Sequence, residues 1–182
     1  MNKSFVILLG FLLVIGSTSS FAQFGVRGGL SASNFDGFSF NSRIGFHLGA
    51  FYEYQLQEDL TIESGLYFSQ KGYKSNTEDI KENLNYIDIP LFVRYYIGDI
   101  FNVFAGPQGS LLVSRKYTLD GEISQTMEVL RRYEIAAVLG AGVDLPLDLN
   151  VQVSYDFGLV NLNYFDYTVR NRVFKLSVAR RF

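Results

Sequence analysis

From about residue 24 onward the chain alternates, apolar then polar, with a period of two. In SRIGFHLGAFYEY, Ile44, Phe46, Leu48, Ala50, Tyr52 and Tyr54 share one parity, and Gly45, His47, Gly49, Phe51 and Glu53 share the other. Successive strand side chains point to opposite faces, so this run reads as a β-strand with two chemically different sides. LTIESGLYFSQK (60–71), YIDIPLFVRYYI (86–97) and LNVQVSYDFGLV (149–160) repeat the pattern. Four further segments alternate less cleanly: 24–35, 102–117, 133–145, and the stretch from about Arg170 to Phe182. In the 102–117 segment, Ser110 and Ser114 are expected to lie on one face with Phe104 and Gln108. The total is eight strands.

The connections set the topology. Three are short, near 55–59, 98–101 and 146–148; four are longer and more polar, near 36–42, 72–84, 118–132 and 161–169. Strands joined in this alternating way are antiparallel, with every short turn at one end and every long loop at the other. That asymmetry belongs to transmembrane barrels, so the expected fold is all-β: an eight-stranded antiparallel up-and-down transmembrane β-barrel. Within the long loops, Ser75 and Glu78 stand at capping-box spacing, and SQTMEVLRR (124–132) offers a second short helical turn.

Which face meets lipid is a question of volume. One parity carries Ile, Leu, Phe and Tyr on most strands; the other mixes Gly, hydroxyls, amides and the ions Arg27, Glu53, Glu63, Lys71, Asp88, Arg94, Glu134, Asp144, Asp156, Lys175 and Arg181. Eight strands enclose little space, so the bulky face is expected to contact the lipid bilayer and the glycine-rich face to line the lumen. Glu53, Glu63, Asp88, Arg94 and Asp156 are the lumen charges expected to pair as a plug; a proton or ion path is the functional alternative. A formal charge of −2 is not the basic balance that nucleic acid demands, so no nucleic-acid partner is expected.

The two ends read as signals. Lys3, the apolar run Phe5 to Ile15 and the small residues before Gln23 have the three parts of a secretory signal peptide. The expected division is 1–22 signal peptide and 23–182 barrel domain, and a buried strand or a membrane anchor is the competing reading of the first segment. No cysteine is present, so an exported domain relies on packing and hydrogen bonds. At the other end, Phe174, Leu176, Val178 and Phe182 share a face. This ending resembles the signal that the barrel-assembly machinery reads on outer-membrane barrels, although Arg180 stands where an apolar residue is usual.

FGVRGGLSASNF, YIDIPLFVRYYI, VFAGPQGSLLVS and LGAGVDLPLDLNVQVSYDFGL together resemble the small outer-membrane β-barrel domain family that includes PorT-like proteins. The segments Tyr86 to Leu91 and Ala105 to Pro107 are its more specific pieces. The resemblance implies an eight-stranded barrel in the outer membrane and a link to protein secretion; the residues themselves are read as a non-enzymatic structural or interaction protein, with envelope or secretion partners expected at the long loops.

Chemistry is sparse. His47 is the only histidine, so no zinc site is expected, and no cofactor motif or phosphate loop appears. Two alternatives stay open. A lipid-modifying outer-membrane enzyme would need His47 near the outer surface beside a hydroxyl nucleophile. A soluble exported barrel binding an apolar ligand would need the aromatic face inside.

Overall fold

The structure is a computed structural model describing residues 22–36, 41–74, 81–119, 122–124, 132–160 and 170–182. Nine strands follow in order: β1 (Ala22–Asp36), β2 (Asn41–Gln57), β3 (Leu60–Lys74), β4 (Lys81–Ile97), β5 (Phe101–Leu119), β6 (Glu122–Ser124), β7 (Tyr133–Leu145), β8 (Leu149–Gly158) and β9 (Arg170–Arg181). Eight form the barrel, and the three-residue β6 pairs with the far end of β5. Every pairing is antiparallel. The ring closes where β1 pairs with β9, Gly25 opposite Arg181 through Asp36 opposite Arg170. Among the described residues closure leaves each of the eight barrel strands paired on both sides, as a hydrocarbon solvent requires of a sheet.

Parity determines the wall. Leu30, Leu48, Leu66, Ile89, Leu139 and Val178 are exposed on the outside, while Arg27, Glu63, Asp88, Arg94 and Glu134 are buried inside. The aromatic and aliphatic face therefore lies outside, which overturns the soluble barrel with an apolar interior. Glycines keep the interior narrow. A Cβ at Gly49 would collide with the carbonyl oxygen of Leu66, and one at Gly140 with the Phe104 ring.

The short-turn end is tightly built. Leu147 and Asp148 have positive φ (70° and 58°) in the turn between β7 and β8, and the Asp148 carbonyl accepts the Arg181 amide at 2.9 Å. At the opposite end the strands are longer than the loops suggested. Residues 72–74 and 81–84, expected in a loop, are strand, and Ser124 belongs to β6. The helical turn at Ser75 and Glu78, residues 125–131 of the second one, and all of the signal segment except Ala22 lie outside the described residues.

At that long-loop end the outer face turns polar. Leu84, Tyr86, Leu112 and Val173 point inward and are buried, whereas Asn83, Asn85, Ser114, Lys116 and Thr118 lie on the outer side. The register shift opposite Asn85 and Tyr86 inserts one extra residue in β5. A bulge of this kind flips the parity beyond it. Ser114 therefore points outward, contrary to expectation, and Arg115 points inward. A strand needs only about 9–11 residues to cross a bilayer, and β4 and β5 have 17 and 19. Their surplus forms a collar with a polar exterior above the apolar belt.

Candidate functional site: the charged lumen

Two tiers of ion pairs and a third pair fill the barrel axis. The tier nearer the short turns is centred on Glu63. Its carboxylate accepts Arg27 Nη2 at 2.9 Å and Arg94 Nη2 at 2.6 Å, and Arg27 Nη1 also pairs with it. Strands β1, β3 and β4 supply these three side chains, each of the inward parity. Arg94 further donates to Gln152 Oε1 at 3.0 Å and to Asn102 Oδ1, with Glu53 at 3.7 Å. Arg181 completes the tier, donating to Glu53 Oε2 at 2.8 Å, Asp144 Oδ1 at 2.7 Å and Tyr96 Oη at 3.1 Å. Aromatic faces cover the cations: Arg27 lies 4.3 Å from the Phe51 ring centre and Arg94 4.4 Å from Phe104. Such stacking is favourable in a desolvated setting.

Asp88 anchors the second tier. It accepts Ser69 Oγ at 2.6 Å, with Lys71 at 3.4 Å and Lys175 at 3.7 Å. Lys175 pairs with Asp156 at 2.6 Å, and Lys71 with Glu134 at 3.2 Å. The structure thus places Glu53, Glu63 and Arg94 together in one tier and Asp88 and Asp156 in the other. Sequence reasoning missed the third group, Glu82 and Arg115, paired at 2.5 Å inside the collar. The bulge conceals Arg115 from a parity count; Glu82 was legible by extending the parity of Asp88 back through Tyr86 and Leu84.

His47 lies within the lumen, its Nε2 2.9 Å from Ser177 Oγ. The hydroxyl that a lipid-modifying enzyme would need is present, but the pair is walled in, with His47 4 % and Ser177 2 % exposed. No group of three or more His, Cys, Asp or Glu suited to a metal occurs among the described residues.

Two spaces adjoin the tiers. At the short-turn mouth an open vestibule of about 400 Å³ is bordered by Glu53, Tyr96, Asp99, Asp144, Asp148 and Arg181. Between the tiers lies a small cavity of about 30 Å³.

The outer wall of β9 carries Phe174, Leu176 and Val178, all exposed, and the 73 % exposed Phe182 follows. The Phe182 amide donates to the Phe24 carbonyl at 2.8 Å. The Arg180 guanidinium sits 5.5 Å from the Phe182 ring centre.

The family model for the outer membrane protein beta-barrel domain matches residues 17–164. No curated protein sequence matches the chain. Among solved structures, Neisserial surface protein A (NspA) superposes with a TM-score of 0.59 at 17% identity, over 90% of this chain and 100% of that one. Ail, the attachment invasion locus protein of Yersinia pestis, solved in complex with the heparin analogue sucrose octasulfate, gives 0.57 at 15% identity, over 91% and 100%. At these identities the likeness is one of fold.

Proposed function

The chain belongs to the outer membrane protein beta-barrel domain family and resides in the outer membrane, and from that premise we propose that it is a non-enzymatic structural or interaction protein. One observation carries the reading. The lumen is occupied by mutually paired ions and stacked rings, which leaves the outer wall to lipid and the two mouths to partners. A plugged eight-stranded barrel is poorly suited to general permeation, and an exposed mouth on a rigid scaffold is where contacts are made.

Finer roles follow from the sequence. Residues 1–22 act as a signal peptide and 23–182 form the barrel domain. Phe182, with Phe174, Leu176 and Val178, presents an apolar stripe to the barrel-assembly machinery; the outward placement of all four supports this. The lumen charges Glu53, Glu63, Asp88, Arg94 and Asp156 serve packing. A PorT-like link to secretion, through partners at the long loops, rests on the motif resemblance alone.

The test is a deletion strain compared with its parent in two assays, the profile of secreted proteins and the sensitivity of the envelope to detergent. Loss of specific secreted proteins supports the secretion role. Detergent sensitivity with an unchanged profile supports a structural role. Neither effect, together with altered lipid A chemistry, would overturn the non-enzymatic reading.

A further inference from the structure

Lys71, on β3, ends among acceptors drawn from other strands. Its Nζ lies 3.2 Å from Glu134 Oε2 on β7 and 3.2 Å from Ser110 Oγ on β5. The same Glu134 oxygen accepts the side-chain amide of Asn171, on β9, at 3.0 Å. One carboxylate oxygen therefore gathers a primary amine and a primary amide. The cluster is dry: Lys71, Glu134 and Asn171 are each at most 2 % exposed. The fully buried Tyr86 ring closes it, its centre 4.6 Å from Lys71 Nζ.

These are the groups needed to transfer an acyl group from an amide to an amine. An amide is inert to an amine free in water, but fixed proximity removes much of that barrier. A carboxylate touching both nitrogens is placed to carry a proton from one to the other. Burial favours the first transfer, because a site out of water disfavours separate charges over a neutral amine and a neutral acid. Asp88, 3.4 Å from Lys71, retains Lys175 as a counter-ion at 3.7 Å when the Lys71 charge is lost.

We propose that Lys71 and Asn171 join in an intramolecular isopeptide bond, formed once per molecule after the barrel closes, with Glu134 as the proton carrier. Lys71 gives a proton to Glu134, and the freed Nζ lone pair attacks Asn171 Cγ. The Nζ–Cγ bond forms, and the Cγ–Nδ2 bond breaks as Glu134 returns its proton to Nδ2. The surplus proton on the new amide passes through Glu134 to the departing ammonia, which leaves as ammonium. Nothing is oxidised or reduced. In the ring, β1 and β2 lie between β3 and β9, so the bond straps the closing seam from inside. For a chain without cysteine this is a covalent brace that needs no oxidant, and it restrains the unfolded chain as other cross-links do. The inference goes beyond the proposed role and does not depend on it.

Mass spectrometry of the full chain, before and after folding into detergent micelles, tests it. The chain in denaturant should keep its full mass, and the folded barrel should become lighter by one ammonia. Proteolysis should then release a branched peptide joining Lys71 to Asn171. Cleavage ahead of Gln23 would expose a glutamine that also loses ammonia on cyclising, so the branched peptide is the deciding readout. Glu134→Gln, which keeps the shape, should abolish the branch in the fraction that folds. Linear peptides alone, after prolonged incubation of the folded wild-type barrel, would overturn the proposal. So would a branch only between Lys175 and Gln108, another lysine–amide contact in the lumen at 3.4 Å. The wild-type result stands whether or not the variant folds.

Discussion

Glu63 is the side chain on which the most charge converges. It sits between Arg27 and Arg94 with no solvent access, and Arg27 makes no other ion pair among the described residues. Replacing Glu63 by Gln keeps the shape and removes the charge, leaving Arg27 buried without a counter-ion. Breaking a buried pair in this way costs about 3–5 kcal/mol, so Glu63→Gln should lower the urea midpoint of unfolding from lipid vesicles by that equivalent. An unchanged midpoint would show that the tier is hydrated and loosely coupled. Gly29 gives a steric counterpart. A Cβ there would overlap the Leu176 carbonyl oxygen and crowd the Ser177 backbone and the His47 ring. Since β1 and β9 are held in register across this point, Gly29→Ala should cost at least about 1–3 kcal/mol in the same assay. Tolerance without loss would mean that the closing seam can widen.

At the level of elements, β4 is irregularly bonded on both of its sides. Pro90 has no N–H to offer β3, and the register there skips from Ser64 opposite Leu91 to Tyr67 opposite Asp88. Pro107 likewise offers none to β4, and that register skips from Pro90 opposite Gln108 to Val93 opposite Ala105. The Ser64 hydroxyl, donating to the Pro90 carbonyl at 2.8 Å, is a partial compensation. The β8–β9 ladder runs without a break from Leu149 to Phe157. Amide exchange in micelles should therefore be faster for residues 64–67, 88–93 and 105–109 than for 150–156 and 173–179; equal protection would contradict the register. These two prolines lie within the segments that carry the family resemblance, so their positions were legible in the sequence, but the ladder gaps they cause are not visible without knowing which strands pair. The same limit applies to the lumen. Strict alternation in β2, β3 and β8 assigns each charge a face, because a strand has only two. It does not say that Arg27 on β1 reaches Glu63 on β3 across the interior. The bulge in β5 hides Arg115, since one inserted residue exchanges the faces beyond it.

The whole molecule is a closed wall around a filled axis. Paired side chains fill the interior at both tiers, so reconstitution into a planar bilayer should give no porin-sized conductance steps. Discrete steps in the wild-type protein would mean that the tiers part under voltage. The collar adds a second property at this scale. Above the apolar belt the barrel keeps its hydrogen bonding and turns a polar side outward, around an interior that holds Leu84, Tyr86, Leu112 and Val173 together with the buried Glu82–Arg115 pair. One continuous pair of strands thus satisfies two solvents in succession.

The pairing of β1 with β9 has a consequence in time. Val26 meets Arg180 and Leu30 meets Leu176, residues from nearly opposite ends of the described chain. Contacts so distant in sequence form late and slowly, because the loop entropy must be lost before any reward arrives. Until that last ladder zips, both flanking strands expose bare edges that invite pairing with the wrong chain. For this molecule the hazardous interval is the wait before closure, and a cell that shortens it gains yield without adding any stability to the finished ring.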